Sequence, residues 1–78
     1  MIVEYRAKHI GEDGITVIGQ TLDSLGIPHL GDSVLFQGED VALIVHNTTL
    51  VPGIKWIVTV SMLKTEAEAL LKRLSGCE

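Results

Sequence analysis

Seventy-eight residues are the length of one small domain, spanning 1–78, and they carry ten acidic against six basic side chains, a formal charge of -4, with 46% hydrophobic residues. A chain this short buries only about 60% of its unfolded surface, leaving hydrophobic gain and conformational entropy near balance, so a disulfide, a metal or another subunit usually assists. Three observations narrow this further. The single cysteine, Cys77, excludes an intrachain disulfide, the acidic excess opposes a phosphate backbone, and the longest apolar run, Val41 to Val45, is far short of the ~20 residues of a bilayer span.

The N-terminus, Met1 to Arg6, has no basic segment followed by an apolar stretch, so no secretory signal is expected and the cytoplasm is the default compartment. Ile2 to His9 then alternates, with Val3, Tyr5 and Ala7 on one side and Glu4, Arg6 and Lys8 on the other, the period of a half-buried strand. Gly11-Glu12-Asp13-Gly14 supplies turn chemistry, and Ile15 to Ile18 resumes in apolar, largely β-branched residues, which predicts a hairpin. From Gln20 to Asp32 no period is sustained. Thr21 to Leu25 is compatible with one helical turn, cut short by Gly26 and Pro28.

A third strand is expected from Ser33 to Gln37, reversing at Gly38-Glu39-Asp40 into a fourth from Val41 to His46. Asn47 to Gly53 reads as a loop, and Ile54 to Ser61 as a fifth strand with Ile54, Trp56, Val58 and Val60 on one face. The period then changes: Ala67, Leu70, Leu71 and Leu74 form the stripe of an amphipathic helix. Thr65 and Glu68 are spaced as a capping box, Lys72 and Arg73 suit the negative end, and Gly76 is placed as a C-cap.

Arranged as a mostly antiparallel meander, these strands assign Val3, Tyr5, Ala7, Ile15, Val17, Val34, Phe36, Val41, Leu43, Val45, Trp56, Val58 and Val60 to a common core face. Leu35, Ala42, Ile44 and Ile57 then point to the opposite face, with Ile18 as a further candidate and Gln37, His46, Lys55 and Thr59 as a polar border. A sheet apolar on both faces needs two covers, and the chain has one helix. Pro28 to Val34 resembles the strand entry of small SH3-like barrels, which implies a curled architecture and no particular function. The favoured alternative is an open sheet with one face covered by the helix and the other by a symmetry mate; a different protein or a small apolar ligand is the third possibility.

No motif for chemistry stands out. His9, His29 and His46 lack metal-ligand spacing, Glu12, Asp13, Glu39 and Asp40 lack a calcium-loop pattern, and Ser24, Ser33 and Ser61 lack a nucleophile elbow. Asp32 after Gly31 reads as turn chemistry, Trp56 and Tyr5 as core anchors, and Cys77 as incidental. Neither a Walker loop nor a dinucleotide fingerprint occurs, so no cofactor is expected.

The expectation is therefore an α+β protein of bacterial type. It has five mostly antiparallel strands, as an open sheet or a small SH3-like barrel, and one C-terminal amphipathic helix. It would act as a self-associating, non-catalytic binding or adaptor module, a homodimer with Leu35, Ala42, Ile44, His46 and Ile57 at the interface. The alternative is a small enzyme or small-molecule-binding protein whose pocket is completed between subunits, with His46, Asp32 or Tyr5 as acid or base. Nucleic-acid regulation ranks last, because it requires Arg6, Lys8, Lys55 and Lys64 to gather on one side.

Overall fold

A computed structural model describes residues 2–22, 27–36 and 38–75. Five strands and one helix follow in order: β1 (Ile2–His9), β2 (Ile15–Leu22), β3 (Ser33–Val34), β4 (Leu43–Val51), β5 (Lys55–Met62) and α1 (Lys64–Leu74). β1 pairs with β2, β3 with β4 and β4 with β5, all antiparallel. β5 then lies parallel to β1, giving one sheet in the order β2-β1-β5-β4-β3. The fold is α+β, an open mixed sheet curled into a half-barrel with one C-terminal helix.

The expected meander fails at one junction. β1 neighbours β5, and β2 and β3 become the two edges. The reason is the quantity of backbone to be satisfied. β3 is two residues long and offers β2 almost nothing, whereas β5 matches β1 along its whole length, from Ile2 opposite Lys55 to His9 opposite Met62. With the edges unjoined, the barrel does not close.

Two irregularities decide which side chains face inward. Tyr5 pairs with Gly19 and Arg6 with Val17, so Ile18 has no partner and forms a bulge. The bulge turns Ile18 into the core, 3% exposed, and leaves Ile15 and Val17 on the outer face opposite Lys8 and Arg6, at 56% and 46% exposure. Both had been expected inside. A second irregularity between Val45 and Asn47 leaves His46 unpaired, after which the chain continues as strand to Val51 instead of forming the expected loop. The β-branched Thr48, Thr49 and Val51 suit this pleated continuation. The reversal waits for Pro52-Gly53, where Gly53 has φ of 74° and the Ile54 N–H donates to the Val51 carbonyl at 3.0 Å. That is the Pro-Gly pattern of a type II turn, and it leaves Ile54 outside β5 and exposed.

The core lies on the inner face in two joined clusters. One gathers Ala7, Ile18, Val60 and Met62 under Ala67 and Leu70 of α1; the other gathers Val3, Val45 and Val58 with Trp56 at its margin. Tyr5 belongs to both and meets Phe36 edge-on, with ring centroids 5.2 Å apart. Val41, expected inside, is exposed.

The helix begins at Lys64, so Thr65 is already its second residue and cannot cap it; Leu63 holds the N-cap position without a side-chain bond. The expected stripe is kept by Ala67, Leu70 and Leu74, while Leu71 is exposed. Strand three ends at Val34 rather than Gln37, which lies outside the described residues, as does the C-cap at Gly76; of the helical turn expected from Thr21 to Leu25, the first two residues continue β2 instead and 23–25 lie outside the described residues.

His9 marks the end of β1 and is 9% exposed. Its N–H donates to the Gly14 carbonyl at 3.1 Å, its ring Nε2 lies 2.7 Å from the Thr16 hydroxyl, and its Nδ1 is buried without a hydrogen-bond partner. Gly14 closes over this ring at φ of 126°, and a Cβ there would stand 2.8 Å from Nδ1. Gly14→Ala is therefore expected to lower stability by about 1–3 kcal/mol in urea denaturation, through positive φ and contact together. Gly11→Ala, with positive φ but open space around it, should cost less.

Candidate functional site

Each strand presents its alternate residues to the outer face, and the register orders them in rows. Glu4 is central. It faces Gln20 on β2 and Ile57 on β5, and only 4% of it is exposed. A buried carboxylate needs partners, and it has three: the Lys55 ammonium at 2.8 Å, the Arg6 guanidinium, and the Gln20 amide at 3.3 Å. Hydrogen bonds from Lys55 first and Arg6 second outweigh desolvation and lower the Glu4 carboxyl from 4.5 to about 2. The cluster is a structural tie between β1, β2 and β5. Held this firmly as a carboxylate, Glu4 is unsuited to act as a general base near neutrality.

The outer face is thus polar at its centre. Asn47 and Thr59 form one row across β4 and β5, and Thr49 and Ile57 form another. Ile57 is half-buried beside Glu4, and the Asn47–Thr59 row separates it from Ile44.

One group of exposed apolar side chains lies at the β3–β4 margin. Leu30, Leu35 and Ile44 are 73%, 60% and 61% exposed. Leu30, Ala42, Ile44 and His46 line one shallow depression of about 420 Å³. Four of the five residues expected at an interface are therefore exposed at or beside this margin: Ala42, Ile44 and His46 together, Leu35 just beyond Val34. Ile57 stands apart from them. Sequence reasoning missed Leu30, whose isolation in an aperiodic stretch gave no signal.

Backbone and side-chain hydrogen bonds together hold the segment beside the depression, the Thr48 hydroxyl of β4 donating to the Pro28 carbonyl at 2.6 Å. The Gly31 N–H donates to the Val45 carbonyl and the Val45 N–H to the Asp32 carbonyl, at 3.0 and 2.8 Å, docking the 29–32 turn on β4. Asp32 completes that turn, its carboxylate accepting the His29 N–H at 2.9 Å. Tyr5 lies in the core, His46 on the β4 bulge and Asp32 in the turn docked on Val45, and among the described residues no side-chain hydrogen bond joins any two of these candidate acid–base groups. His9 is buried at one end of β1, while His29 and His46 are exposed. Among the described residues, no group of three or more His, Cys, Asp or Glu side chains could hold a metal ion, and no helix is long and apolar enough to cross a membrane.

A second hollow is lined by Phe36, residues 38–41 and Leu43 on one side and by α1 on the other, with a volume of about 650 Å³. Its mouth is spanned by Arg73, which donates to both Glu39 carboxylate oxygens at 2.9 and 2.8 Å. That pairing lowers the Glu39 carboxyl and raises the Arg73 guanidinium from their ordinary values.

Searches against protein-family models, curated proteins and solved structures found no match for this chain.

The Glu4 cluster has a measurable consequence. Because its carboxyl is lowered by folding, the stability it contributes is present above 4.5 and drains away as pH falls towards 2. Discounting for the partly exposed cations, the acid limb from this residue amounts to on the order of 2 kcal/mol. Denaturant titrations between pH 5 and about 2 should show this limb in the native chain and a flatter one in Glu4→Gln.

Proposed function

We propose that this chain is a small cytoplasmic binding module that associates with itself through the β3–β4 margin, forming a two-fold dimer. One observation carries the proposal: Leu30, Leu35 and Ile44 are exposed at the sheet edge farthest in strand order from β2 and β1, where α1 packs. Monomeric proteins scatter exposed apolar side chains singly, whereas a cluster at one margin marks a contact surface. Two features support a second copy as the occupant. A two-fold interface brings the same patch to both sides, so an apolar margin is complementary to itself. The edge strand there is only two residues long, so it offers a second copy little backbone to pair with, and contact at Leu30, Leu35 and Ile44 is made by side chains.

Sedimentation equilibrium tests this. The native chain should be a dimer at tens of micromolar, and Ile44→Lys should weaken association at least tenfold with little change in monomer stability, since Ile44 is outside the core. Ile57→Asp should act differently. It places a carboxylate beside Glu4, and its effect should appear in stability rather than in assembly. A strict monomer throughout that concentration range would remove the basis of the proposal.

A further inference from the structure

The hollow between the 38–42 segment and α1 is separate from the β3–β4 depression and differs from it in charge. Its lining is partly apolar: Met62 and Leu70 are buried, Phe36 and Leu43 half-buried, and Ile10 and Val41 exposed. Its rim is ionic: Glu39 and Asp40 come from that segment, Glu66 and Arg73 from α1. Arg73 and Glu39 neutralise each other in the two-pronged contact already described. Asp40 and Glu66 remain, and among the described residues neither has a salt-bridge partner. A cleft of about 650 Å³, inside the range of roughly 300–1,000 Å³ usual for ligand pockets, is thus bordered by two carboxylates that have no salt-bridge partner among the described residues.

We propose that this hollow is a binding site for a small apolar cation, an alkylammonium or arylammonium compound. Its hydrocarbon part lies on Leu43, Met62 and Leu70 and its ammonium group is held between Asp40 and Glu66. Charge selects this occupant over the others. A fatty anion meets two like charges at the rim, a neutral apolar molecule leaves both carboxylates without partners, and a second copy of a chain with net charge -4 brings more acid. The Arg73–Glu39 contact joins α1 to the 38–42 segment across the cleft.

The test is a ¹H–¹⁵N titration of the full chain with octylammonium chloride, sodium octanoate and octanol in turn. Octylammonium should produce saturable shifts at the amides of Ile10, Val41, Glu66 and Arg73. Octanoate should bind at least tenfold more weakly at the same positions, and octanol should be intermediate. The paired substitution Asp40→Asn with Glu66→Gln touches exposed or rim side chains only and should abolish the preference for the cation. Equal affinity for the three compounds, shifts centred on Leu30 and Ile44, or a preference that survives the paired substitution would each overturn the assignment. Assembly state is read separately by sedimentation, so failure here leaves the self-association proposal standing, and the reverse also holds.

Discussion

The parallel ladder between β1 and β5 fixes where everything else can go. It joins the first and last strands along eight-residue lengths and confines the two intervening hairpins to opposite flanks. The helix that leaves β5 packs on β1 and β2, where Ala67 and Leu70 seal Ala7 and Ile18. Nothing of comparable length is left for the other flank. There Phe36 meets Tyr5 and Glu39 meets Arg73, but Leu30, Leu35 and Ile44 stay in solvent. One group of exposed apolar side chains is thereby left at this margin, while others, among them Ile10, Ile15, Val17 and Ile54, are exposed elsewhere on the surface.

Electrostatics reinforces that division. A carboxylate buried in the middle of a sheet face is costly unless paired, and Glu4 is paired with two cations and an amide from three different strands. The cluster makes the centre of the outer face polar, which is why Ile57 and Ile44 do not merge into one apolar surface. It also leaves three basic side chains, Lys8, Lys64 and Lys72, without a salt bridge among the described residues, too few to form a basic stripe.

Much of the architecture was legible in the residues. The alternation of Ile2 to His9 gave β1 with its observed ends, and the leucine spacing gave the helix, because these signals are local and periodic. Two of the errors trace to bulges. A bulge at Ile18 reverses the inward and outward sense of half a strand, and no feature of Ile15-Thr16-Val17-Ile18 announces it, since all four residues suit either face. The bulge at His46 did the same for β4, where Asn47 looked like the start of a loop. The parallel pairing of β1 with β5 is a long-range choice that periodicity does not encode. Of the site, the exposed Ala42, Ile44 and His46 were legible from alternation; the hollow beside α1 was not, because it depends on where an irregular connection lands.

The account stands on the claim that the β3–β4 margin is covered by a second molecule in solution. Methyl groups report this directly when a soluble paramagnetic probe is added to protein labelled at isoleucine and leucine. The account predicts that, at concentrations where the chain is associated, the methyls of Leu30, Leu35 and Ile44 are shielded from the probe while those of Ile54, equally exposed in the single chain, are broadened. Equal broadening of all four, at every concentration, would contradict it.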